Sequence, residues 1–211
     1  MRIGIFGKLP TKRDFIAINL PQNFLRVWED WLQASVAASR QQLDGRWNDM
    51  FLAAPIWRFW LGRDICGMTV TGAFMPSVDG VGRYFPLCVC ACAEQGPAIS
   101  PPGAKPLHRW FDKVERVLLQ ALEPEFSGEP SALLEGLDLD VAIHGDDPVE
   151  NEVTGLLAEG LQSGLAKESW WWSIGGGAFP VQLRRCQGLP GPYQFAGFMT
   201  CDTERHGGVL V

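Results

Sequence analysis

Between Phe24 and Leu43 the apolar residues Leu25, Trp28, Leu32, Val36 and Leu43 recur at helical spacing, with Arg26, Glu29, Asp30, Gln33 and Arg40 between them. That pattern predicts an amphipathic helix whose aromatic face turns toward a core. A short second helix is expected over Trp47–Leu52, ended before Pro55. The period then changes. IWRFWL (56–61), CGMTVTGAFM (66–75) and YFPLCVCACA (84–93) read as three strands, separated by a turn at Gly62–Asp64 and a loop over Pro76–Gly82. Short connections between successive strands predict an antiparallel meander.

On either side of this block the pattern is equally legible. Arg2–Phe6 reads as a first strand, and GKLPTKRDF (Gly7–Phe15) as a loop broken by Gly7 and Pro10. A Pro/Gly linker over Gly96–Pro106 leads into a second strong amphipathic helix. Its apolar stripe is Leu107, Trp110, Phe111, Val114, Val117, Leu118 and Leu122, and its polar face is Arg109, Asp112, Lys113, Glu115 and Arg116. A third helix is expected from Pro148, with Asp147 as N-cap and Glu150 at N3. SWWWSIGGG (169–177) reads as a late strand with PVQLRR (180–185) as its pairing candidate, and PYQFAGFMT (192–200) as a short closing helix. The predicted class is α+β: a central antiparallel β-sheet flanked by helices, forming one domain over residues 1–211.

Composition narrows the function. The chain has 211 residues, 46% of them hydrophobic and 20% charged, which is globular and not disordered. No apolar run approaches a membrane span, and the first ten residues lack the apolar stretch of a signal peptide, so a cytoplasmic protein is expected, without membrane insertion. A net charge of -6 argues against a nucleic-acid partner. Half of the acidic residues, 12 of 24, fall within residues 123–168 beside a single base, Lys167, as on a solvated face.

Catalytic and metal chemistry find little support. The six cysteines form no C-x-x-C, and the three histidines are far apart, so no metal or cofactor site is expected. Cys88, Cys90 and Cys92 alternate, which on a strand places them on one buried face. GKLPTK lacks the spacing of a phosphate-binding P-loop, and neither G-x-S-x-G nor H-E-x-x-H occurs. What remains is a set of polar residues between apolar runs. Arg58 lies among aromatics, with Asp14 or Asp79 as expected partner, and either a clamp or a recognition site ringed by Trp57, Trp60, Phe15 and Tyr84 would use it. Asp79 is expected to pair with Arg58 or Arg83 and so fix the loop that also carries Ser77.

Three segments carry a resemblance: GKLPTKRDF, APIWRF (54–59) and MPSVDGVGRYFPL (75–87), followed in order by SWWWSIGGG and QGLPGPYQFAGFM (187–199). Together they resemble the TagF/ImpM family of type VI secretion system-associated proteins of Gram-negative bacteria. The family reads G-K-x-P-x-x-G-D-F, and Arg13 stands where its second glycine is expected. The resemblance implies a longin- or profilin-like α/β/α sandwich. It also implies a non-catalytic, cytoplasmic post-translational repressor that sequesters a forkhead-associated (FHA) domain scaffold, Fha. Some relatives are fused to a PppA-type phosphatase, for which 211 residues leave no room. Candidate partner-binding residues are Lys8, Pro10, Asp14, Phe15, Trp57, Arg58, Ser77, Asp79, Arg83 and Tyr84. The competing expectations are an enzyme built on Asp14, Arg58, Asp79 and Arg83, and a structural subunit of the secretion apparatus.

Overall fold

The computed structural model describes residues 1–95, 98–102, 107–124, 126–139 and 165–200. Its centre is a seven-stranded, wholly antiparallel sheet in the order β2-β1-β5-β4-β3-β6-β7. The strands are β1 (Arg2–Gly7), β2 (Ile16–Ile18), β3 (Trp57–Leu61), β4 (Val70–Met75), β5 (Leu87–Cys92), β6 (Glu168–Ser173) and β7 (Gln182–Gln187). The expected meander is β3-β4-β5. β6 docks on β3, on the side away from β1, and pairs with the edge strand β7 in the register Trp170↔Arg185.

Helices cover both faces. On one side α1 (Gln22–Leu43) and α2 (Trp47–Ala53) pack with a 3-10 segment, Pro192–Phe198. On the other lie α4 (His108–Gln120) and the 3-10 turn Pro130–Leu134. A strand covered on both faces is apolar at successive positions, and β3, β4 and β5 are buried throughout. Alternation still sorts the side chains. Trp57, Phe59 and Leu61 join the α1 layer, whereas Trp60 joins the α4 layer. Cys88, Cys90 and Cys92 fall together on the α1 face, as the period-two reading expects, with Val89 and Ala91 opposite.

The α1 layer is dominated by rings. Trp28 stacks on Phe59 at 4.6 Å and lies 5.9 Å from Trp171, and Trp31 meets Trp171 at 4.9 Å. Several indoles also find acceptors: Trp31 Nε1 donates to the Pro190 carbonyl at 2.8 Å and Trp57 Nε1 to that of Phe198 at 2.9 Å. These bonds tie the segment after β7 onto α1 and β3.

Three details differ from the sequence reading. Ile16–Ile18, which the sequence reading assigned to no element, is an edge strand, because β1 templates it in a hairpin (Ile5↔Ile18, Gly7↔Ile16). The turn after β3 extends into a short helix, α3 (Arg63–Cys66), ended by Gly67, so β4 starts only at Val70. Tyr84 makes an isolated bridge with Val78, and β5 begins at Leu87. The helix expected from Pro148 lies outside the described residues.

Candidate functional site

The C-terminal ends of β1 and β4 and the N-terminal end of β5 lie at one end of the sheet, as the pairs Gly7↔Leu87 and Met75↔Leu87 show. Two loops leave this end, 8–15 and 76–86. Gly7 permits their approach: at φ +133° its hydrogen faces the Pro86 carbonyl, which a Cβ would meet at 2.1 Å. Backbone bonds then join the loops, with Gly80 N–H donating to Lys12 O at 2.9 Å.

Asp79 is the centre of this clasp. Its side chain is wholly shielded from solvent. One carboxylate oxygen accepts from the Lys8 ammonium and from Arg83 Nε at 2.7 Å. The other accepts from the backbone N–H groups of Val81 at 3.1 Å and Arg83 at 2.8 Å. Burial opposes the charged form, but the hydrogen bonds from Lys8, Arg83 and Val81 outweigh it and hold the carboxyl well below the usual carboxylate range. Ser77 Oγ donates to the Lys8 carbonyl at 2.7 Å, and Arg83 reaches back to donate to the Arg13 carbonyl.

An aromatic cluster lies over the same clasp. Phe15 packs edge-on against Phe85 at 4.8 Å and stacks 6.1 Å from Phe6, with the Lys8 ammonium 4.8 Å from its ring centroid. Phe15 is nevertheless 45% exposed, and Val81, whose backbone N–H binds Asp79, is 55% exposed. Tyr84 turns away to the α2 side, against Trp47 and Phe51. Arg13, standing where the family motif has glycine, has no left-handed backbone and an exposed side chain, so the loop accommodates it without strain.

Thus Lys8, Ser77, Asp79 and Arg83 come together, with Phe15 on top and Pro10 and Asp14 in the same loop. Arg58 does not join them. It projects from β3 beneath α4, where Nε donates to Glu115 at 2.5 Å, Asp112 lies 3.8 Å away and the guanidinium sits 4.9 Å from the Phe111 ring. Neither Asp14 nor Asp79 is its partner. The ring of Trp57, Trp60, Phe15 and Tyr84 does not form either, since Trp57 and Trp60 lie on opposite faces of the sheet. Sequence reading placed Glu115 on the polar face of its helix; only the position of α4 over β3 reveals its role. Lys8 and Asp79, 71 residues apart, are likewise joined by the fold alone.

Other chemistry is sparse. Among the described residues no group of three or more His, Cys, Asp or Glu is placed to hold a metal ion. Burial pushes the Cys66 thiol up to about 11 and raises those of Cys90 and Cys186, which keeps them protonated at neutral pH. An apolar recess beside the clasp, between Pro55, Pro76, Pro86 and Met199, offers no polar side chain to orient a ligand.

Comparison with known proteins gives two findings. The family model described as "TagF N-terminal domain, Type VI secretion system-associated" matches residues 4–137. Among solved structures, the crystal structure of PA0076 from Pseudomonas aeruginosa PAO1 is similar at 31% identity and a TM-score of 0.78, covering 99% of each chain. No curated protein matches significantly. The family match ends before β6, yet β6 and β7 complete the same sheet. No helix among the described residues is long and apolar enough to cross a membrane.

Proposed function

The chain belongs to the TagF N-terminal domain family of type VI secretion system-associated proteins, and from that premise we propose that it is a non-catalytic, cytoplasmic, post-translational repressor of type VI secretion. It acts by binding and sequestering an FHA-domain scaffold protein. The observation that carries this reading is family membership, joined to a site whose buried charges satisfy one another. Asp79 is filled by four donors and is no general base. Arg58 pairs instead with Glu115 and Asp112 of α4, so the Asp14–Arg58–Asp79–Arg83 constellation is not assembled. A preorganised loop pair with exposed aromatic and guanidinium groups supports partner binding better than chemistry.

Sequestration is stoichiometric, which makes it testable. Repression should scale with the ratio of this protein to scaffold, and overexpressing the scaffold should restore secretion. Silencing by a few molecules per cell against a large excess of scaffold would sink the proposal and return catalysis as the better reading.

A further inference from the structure

Three features of the clasp bear on what it contacts. Phe15 is half exposed but held on Phe6 and Phe85, so it is an aromatic already fixed in place. The Arg83 side chain is 58% exposed, yet its guanidinium is fixed by Asp79 and by the Arg13 carbonyl. Groups ordered before association lose little conformational entropy on binding, and aromatic and arginine anchors carry most interface energy. The third feature is charge. Loops 8–15 and 76–86 hold Lys8, Lys12, Arg13 and Arg83 against Asp14 and Asp79, a local excess of positive charge on a chain whose net charge is -6.

We infer that the outer face of this clasp is a docking surface for an acidic protein segment, one bearing Asp or Glu side chains beside an apolar residue. The apolar residue sits on Phe15 and Val81, and the carboxylates pair with Arg83 and Arg13. Lys8 is taken by Asp79, and Lys12 lies 3.3 Å from Glu129, so these two contribute to the field more than to direct contact. Lys8 and Arg83 share one oxygen of Asp79, so Lys8 is enclosed and only the outer edge of Arg83 and the Arg13 side chain are left to meet a ligand. With Lys8, Lys12 and Arg83 each already paired to a carboxylate, the remaining positive charge fits single carboxylates better than one phosphate dianion.

Identifying that segment as part of the FHA-domain scaffold rests on the proposal above, so the test has two probes. Binding of the purified full chain is measured to the scaffold and to polyglutamate, at low and at high salt, with amide NMR mapping the contacted residues. Arg13→Glu is the principal variant, because the clasp uses only the backbone carbonyl of Arg13. Arg13→Glu should weaken scaffold binding at least tenfold and Phe15→Ala comparably, high salt should reproduce much of the first effect, and polyglutamate should perturb the amides around Arg13, Phe15 and Arg83. Scaffold binding unchanged by both variants would overturn the acidic-segment inference and leave the scaffold reading standing. Polyglutamate contacting this face without scaffold binding would do the reverse. Failure of both probes ends both ideas, and scaffold binding abolished by phosphatase treatment would replace the carboxylate ligand by a phosphopeptide.

Discussion

Two buried ionic clusters, one in the loops at the end of the sheet and one between β3 and α4, do different work. Around Asp79 the charges join two loops, and the outer cation, Arg83, keeps more than half its side chain in water. Around Arg58 they join two layers: a guanidinium from β3, 6% exposed, meets Glu115 of α4, 18% exposed. A loop clasp can open locally and let its groups rehydrate. A pair between sheet and helix can be hydrated only by separating the layers. Burial of charge therefore rigidifies a prospective binding surface in one place and fixes the seating of a helix in the other.

Breaking the inner pair should have the largest effect. Glu115→Leu leaves Arg58 buried with only the more distant Asp112, and should cost about 3–5 kcal/mol in urea unfolding. Replacing both members by apolar residues, Arg58→Met with Glu115→Leu, should recover most of that loss. A double variant as unstable as the single one would mean that packing at Arg58, and not its charge, sets the stability.

Asp79→Asn should destabilise less, since the released cations lie in loops that can rehydrate, and should appear first as faster proteolysis within 76–86. Its pH dependence gives a sharper signature. The folded-state pKa of Asp79 is depressed, so its stabilisation is complete above the unfolded value of about 3.9 and is lost as pH falls through that value toward the folded one. Wild type and Asp79→Asn should therefore differ most at neutral pH and converge below about pH 4. Parallel stability curves over that range would show that the carboxylate charge is not what holds the clasp.

The smallest change is expected at Arg13. Arg13→Ala should leave stability within about 0.5 kcal/mol of wild type, because the side chain is exposed and only the backbone carbonyl is used. A larger loss would mean that the Arg13 side chain supports the clasp, and would blur the contrast between a face proposed for contact and a pair that fixes a helix on the sheet.

Much of this molecule follows from residue order alone. Periodicity located α1, the β3-β4-β5 meander and α4, since a helix stripe and a strand alternation are local patterns that burial imposes on neighbouring residues. The thiol ladder of Cys88, Cys90 and Cys92 followed from period two in the same way. The Asp79–Arg83 pair was within reach because both members share one loop. The rest is set by contacts between residues distant in sequence. Ile16–Ile18 is a strand only because β1 lies beside it, and β6 lies against β3 only when the sheet is assembled. Which charge meets Arg58 was decided by where α4 crosses the sheet. Polar residues between apolar runs do not reveal which charges will meet until the register and the layers are set.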